Sequence, residues 1–229
     1  MAVPSYRMTF TTIPTEQTTA LTDLILAVVA LFCAAVLHMA RRQDVWKVRL
    51  WTWVFVLLAV AALLGTAAHG LDLTEQARAH VWRPLYLSLG LVVALFALAA
   101  VRDWRGEGRA RRLAPLAVWI GIGFFLVTQL GSGTFLIFVA YEAAATLFAL
   151  AVYAALALRR QLPGAGIVAA GILLNLIAAA VQASDTIGVS LAGVPLDHNG
   201  VFHLVQIVAV VVLTVGLRRG LAATARAHR

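Results

Sequence analysis

The sequence predicts an all-α, polytopic membrane protein with seven transmembrane helices, its N-terminus outside and its C-terminus in the cytoplasm. Three observations carry this. Of the 229 residues, 62% are hydrophobic and 12% charged, whereas soluble domains average about half apolar and about a quarter charged. The apolar residues fall into seven runs, each near the length of about 20 residues that crosses a hydrocarbon core. Finally, 15 of the 18 Lys and Arg residues fall in alternate loops and at the C-terminal end, the asymmetry that marks the cytoplasmic side.

Taken in order, residues 1–19 are polar and broken by Pro4 and Pro14. They lack the charged start, short apolar core and small-residue cleavage site of a signal peptide, and are expected to form an outer tail. The first span, about 20–40, contains the single cysteine, Cys33, so no disulfide framework and no cysteine zinc site is expected. A basic loop with Arg41, Arg42, Lys47 and Arg49 leads to the second span, 51–69, and an outer loop leads to the third, 84–101. Arg102 to Arg112 form the next basic loop, and the fourth span, 113–131, carries Gly121 and Gly123, small residues that suit a close helix contact. The fifth and sixth spans, 134–158 and 164–183, flank Arg159 and Arg160. The seventh, 200–217, ends in a basic cytoplasmic tail, 218–229. Only Arg7, Arg78 and Arg83 lie on the other side, so the net charge of +8 is a topology signal and not a nucleic-acid footprint. One transmembrane domain, 20–217, embedded among membrane lipids in a bacterial cytoplasmic membrane, is the expected organisation.

Ionisable groups in spans are expensive and call for individual readings. With this topology the outer helix ends bring together Glu16, Asp23, Thr66, His69, Tyr86, Gln129, Gln182, Asp185, His198 and His203. Three of six histidines share that layer. His198 and His203 are five apart, about 140° on a regular helix, so they converge on one ion only if one of them precedes the helix. Asn199 as N-cap after Pro195 would achieve this. His69 then supplies a third nitrogen, and three protein ligands with an open position are the pattern of catalytic zinc. The alternative is plainer: interfacial histidines with one end wet need no ligand. His38, His80 and His228 lie elsewhere. Glu142 is about eight residues into the fifth span, at a depth similar to Asn175 in the sixth. Matched depth lets a protonated Glu142 hydrogen-bond to Asn175, serving either helix association or, functionally, a proton relay or the polar floor of a cavity.

The stretches "TEQTTALTDLILA", "LLGTAAHGLDL" and "LDHNGVFHLVQIVAVVV" resemble a group of bacterial seven-helix proteins. More distantly, they resemble the CREST superfamily of alkaline ceramidases and adiponectin/progestin receptors. The resemblance implies His69, His198 and His203 as zinc ligands, Thr66 in the place of a serine before the first histidine, and Asp72 as the acidic group, with Asp23 or Asp185 as equal alternatives. It further implies a zinc-dependent hydrolase acting on an amide or ester of a lipid-like substrate at the outer face, with Thr66 or Tyr86 near the developing oxyanion. The rivals are a seven-helix receptor with a structural metal site and a proton-coupled transporter built on Glu142. A retinal pigment is excluded, because the only lysine, Lys47, lies in a loop and no span offers a Schiff-base amine. A bis-histidine cytochrome is disfavoured, because nothing stands opposite His38.

Overall fold

The computed structural model describes residues 9–130, 134–184 and 186–227. Seven helices, α1 (Pro14–His38), α2 (Val45–Gly70), α3 (Glu75–Arg105), α4 (Glu107–Thr128), α5 (Thr134–Leu158), α6 (Ala165–Ala183) and α7 (His198–Ala227), are joined by short connections. A small antiparallel hairpin, β1 (Val189–Leu191) with β2 (Val194–Leu196), stands before α7 and was not expected. Every one of the seven is long and apolar enough to cross a membrane, which is compatible with an integral membrane protein.

Local chemistry explains the helix boundaries better than the hydrophobic runs do. Pro14 occupies the first turn of α1, where its missing N–H loses nothing. Asp44 caps α2 by accepting from the Lys47 N–H at 2.9 Å, so α2 begins six residues before the apolar run at 51. Thr74 caps α3, which therefore begins nine residues before its run at 84–101, and the helix continues at the other end to Arg105. Gly106, at φ 86°, separates α3 from α4 as a single left-handed residue where a Cβ would be strained. At the C-terminal end α7 continues through residues 218–227, so most of the basic tail is helical. Arg7, His228 and Asp185 lie outside the described residues.

The helices alternate in direction. The beginnings of α1, α3 and α7 thus meet the ends of α2 and α6 at one end of the bundle, called here the site end. The basic loops occupy the other. The main packing pairs are α1 with α2 and α7, α2 with α3, α3 with α4, and α6 with α7. Outward faces are apolar, with Phe32, Trp119, Leu136 and Leu147 exposed. A water-soluble bundle would hide such surface, whereas lipid is an equivalent solvent for it.

Towards the basic end the interior is filled by Trp51, Phe55, Tyr153 and Leu37, with Phe96 meeting Trp51 edge-on at 5.7 Å. Within this apolar region lies an ionic cluster. Lys47 Nζ reaches Asp103 Oδ2 at 2.7 Å, Tyr153 Oη donates to the same oxygen at 2.9 Å, and Arg102 bridges Asp103 and Asp44.

Gly121 forms the close contact expected of it, and the partner is Gly90 in α3. A Cβ on Gly90 would lie 2.6 Å from the Gly121 carbonyl oxygen, whereas one on Gly123 would meet nothing within 4 Å. Gly90→Ala is therefore expected to force α3 from α4 and lower stability by about 1–3 kcal/mol, while Gly123→Ala, unobstructed in a helix interior, should raise it by about 0.5–1 kcal/mol. Detergent-unfolding curves of the two variants check this, and equal curves would contradict it.

Candidate functional site

A cavity of about 580 Å³ occupies the site-end half of the bundle and reaches the surface beside the exposed Ala183. Its walls are apolar, with Leu26 from α1, Leu58 from α2, Leu89 and Val93 from α3, Phe138 from α5 and Phe202 from α7. Into this lining project His69, His198, His203, Asp23 and Glu142, with Tyr86, Gln182, Asn199 and Gln206. A mainly apolar cavity with a few convergent polar groups is the usual form of a small-molecule site.

The polar groups form three hydrogen-bonded sets. At the mouth, Glu16 Oε2 accepts from His69 Nδ1 at 2.7 Å, which leaves Nε2 for the cavity side, and Trp82 packs edge-on against the ring. Deeper, Thr22 donates its one hydroxyl hydrogen to the Thr19 carbonyl at 2.9 Å. Its oxygen, 3.1 Å from His203 Nδ1, therefore accepts from the ring. His203 Nε2 then faces Asp23 Oδ1 at 3.3 Å. With Nδ1 carrying a hydrogen, this contact is favourable only with one further proton between Nε2 and the carboxyl. The pair is then either carboxylic acid with imidazole or carboxylate with imidazolium, uncharged overall in both forms. At the floor, Asn175 Nδ2 donates to Glu142 Oε1 at 3.1 Å and Gln206 Nε2 donates to Asn175 Oδ1 at 3.3 Å. The bond between Glu142 and Asn175 that their matched depth allows is thus present.

The backbone is arranged to allow these contacts. Asp23 approaches α2 at Gly65, where a Cβ would lie 2.5 Å from Asp23 Oδ2. The start of α7 is set by Asp197, whose Oδ1 accepts from the Gly200 N–H at 2.8 Å and from Thr19 Oγ1 at 2.7 Å. Asp197 therefore caps α7, in place of the expected Asn199, and His198 is the first residue of the helix. Asn199 instead accepts from Gln182 at 3.2 Å, tying α7 to α6.

This bears on whether the histidines suit zinc. In kind they do: three imidazoles face one cavity, and a carboxylate on the far nitrogen of His69 is the usual orienting partner of a ligand histidine. In position they do not, since both nitrogens of His203 face Thr22 and Asp23, and His198 and His203 share one regular helix. Among the described residues no three His, Cys, Asp or Glu side chains are grouped to hold a metal ion.

Of the other residues singled out from sequence, Asp23 and Tyr86 line the cavity. Thr66 does not. Its hydroxyl bonds back to the Ala62 carbonyl at 3.0 Å, and it lines a separate groove of about 490 Å³ between α1 and α2 with Leu21, Leu24 and Leu63. Asp72 is exposed on the connection after α2, its N–H bonded to the Thr9 carbonyl at 2.9 Å. His38 and His80 are exposed and bonded locally, to Arg41 and to the Gln76 carbonyl. Residues that the sequence reading passed over are Thr19, Thr22, Asp197 and Gln206. The signal for the first two was present: Thr19, Thr22 and Asp23 follow the i, i+3, i+4 spacing of one helix face.

A model of a family of unknown function, DUF6962, matches residues 18–222, which takes in all the cavity residues. No curated protein and no solved structure matches the chain.

Proposed function

We propose that this chain, which belongs to the DUF6962 family of unknown function, is an integral membrane protein that binds a small amphipathic molecule in the cavity at its site end. The observation that carries this is the cavity itself: an apolar enclosure of about 580 Å³ holding the Asp23–His203 pair and the Glu142–Asn175–Gln206 set. Buried polar groups are costly in a bundle interior, and apolar residues would fill the space more cheaply. Such a site suits a ligand with an apolar body and a polar head. The arginine asymmetry favours an orientation with the site end outside, so that the ligand comes from the outer leaflet or the medium beyond it. The cytoplasmic membrane of a bacterium remains the proposed location.

Binding of bromine-bearing hexanol, read as quenching of Trp82, which lines the cavity, tests this. The quenching is corrected with a Trp82→Phe variant. Saturable quenching in lipid nanodiscs is expected, and Ala183→Phe, which adds a bulky ring to the exposed part of the lining, should abolish it. Quenching that rises linearly in both proteins would mean partitioning into lipid and no site.

A second reading is a zinc-dependent hydrolase of lipid-like amides or esters, as the resemblance to the CREST superfamily implies. The Glu16–His69 bond favours it, because it holds one imidazole as a ligand histidine is held. Binding zinc would require His203 to give up its contact with Asp23. Elemental analysis of purified protein beside His69→Ala decides the matter: near-stoichiometric zinc lost in the variant supports hydrolysis, and wild type without zinc after metal is supplied removes it.

A further inference from the structure

Among the described residues no Lys or Arg lines the cavity, and this bears on what it holds. Arg78, near the mouth, donates to the Ala68 carbonyl at 2.8 Å. Two of the three histidines are matched by carboxylates, His69 by Glu16 and His203 by Asp23. The N-terminus of α7 beside the mouth is capped by Asp197. Glu142 has no such match. It is 8% exposed, its Oε1 takes the Asn175 amide, and among the described residues no donor engages Oε2.

The hydrogen-bond directions at the floor point the same way. A carboxylate only accepts, so Asn175 turns its NH₂ to Glu142 and its oxygen to the Gln206 NH₂. This leaves Gln206 Oε1 as an acceptor on a residue that lines the same cavity as Glu142. Phe138, one turn before Glu142 on α5, lines the same space, as do Tyr86 and Phe202. Their ring faces attract cations. The cavity thus presents Glu142 and the Gln206 oxygen with three aromatic side chains in the same lining, and among the described residues no Lys or Arg lines it to hold an anion.

We propose that the polar head of the ligand is an organic cation, a primary ammonium on an apolar chain, seated against Glu142 and Gln206 at the cavity floor. This rests on the binding reading above and specifies the class of molecule. The ammonium's three donors meet Glu142 Oε2 and Gln206 Oε1, and its chain runs along the leucine, valine and phenylalanine wall. An inorganic cation is disfavoured, since no cluster of three ligating groups is present among the described residues.

Three bromine-bearing hexyl probes, an ammonium, an alcohol and a carboxylate, titrated against Trp82 fluorescence in nanodiscs, test it. In wild type the ammonium should bind about tenfold more tightly than the alcohol, with the carboxylate weakest. In Glu142→Gln the ammonium should lose its advantage over the alcohol. Unchanged helix content by circular dichroism shows that the variant is folded, and the order of the three probes in wild type stands without any variant. Equal affinity of alcohol and ammonium in wild type, or a preference that survives Glu142→Gln, would overturn the cation and leave the cavity a site for neutral amphiphiles. Absence of binding by all three would remove the binding reading and the cation with it.

Discussion

Asp103→Leu is expected to lower the stability of the bundle by about 3–5 kcal/mol, the usual consequence of removing one partner from a buried charged cluster. The Asp103 side chain is fully enclosed, and it receives the chain's only lysine, Lys47, together with Arg102 and Tyr153. Lys47 is itself 5% exposed. With the carboxylate gone, Lys47 has neither this partner nor water, Tyr153 loses its acceptor, and Arg102 keeps only Asp44. Lys47→Met should cost less, because Asp103 retains Arg102 and Tyr153. The double variant, Lys47→Met with Asp103→Leu, should recover much of the loss, since an apolar pair of similar volume often replaces a buried ion pair without penalty. Equilibrium unfolding by sodium dodecyl sulfate in mixed micelles measures all three. A change of under about 0.5 kcal/mol for Asp103→Leu, as for an ordinary surface substitution, would show that the cluster is solvated and contributes little.

That cluster also shows what the sequence could and could not disclose. The seven apolar runs were legible because lipid demands about 20 apolar residues per crossing, whatever the partners. Helix ends were less so. α2 begins at Val45, within a charged segment, because the Asp44 side chain accepts from the Lys47 N–H, and hydrophobicity is blind to capping. Lys47 thereby moves from an expected loop into the first turn of a helix, where it is buried. The gathering of His69, His198, His203 and Asp23 in one layer was legible from the order of the spans, since their alternating direction fixes which helix ends meet. The match of Glu142 with Asn175 was legible from depth. Facing was harder. Thr66 and His69 are three residues apart, about 60° on the helix, and that angle suffices to put one in the groove beside α1 and the other in the cavity. The start of α7 turned on a choice between two good capping residues, Asp197 and Asn199, which Thr19 decides by bonding to Asp197 from another helix. Such tertiary bonds have no local signature.

The last expected result concerns the Asp23–His203 pair. His203→Ala should cost about 2–5 kcal/mol, because it leaves the Asp23 carboxyl, 4% exposed, without its partner and removes the ring from Thr22. Loss of packing alone would also destabilise, so a steric test separates the two. Gly65→Ala introduces a methyl group 2.5 Å from Asp23 Oδ2. The carboxyl can turn away only by leaving His203, so in an otherwise unchanged protein the substitution should destabilise by about 1–3 kcal/mol. In an Asp23→Ala background the three atoms nearest to that methyl group are gone. There the ordinary preference of a helix interior for alanine over glycine applies, and the same substitution should stabilise by about 0.5–1 kcal/mol. A reversal of sign between the two backgrounds, read from micellar unfolding curves, follows only if Gly65 exists to admit a carboxyl held in place by His203. Destabilisation of equal size in both would mean that the methyl group meets backbone or neighbouring side chains instead. Gly65 would then be a helix contact like Gly90, and the pair would lose its claim to be held in place by the fold.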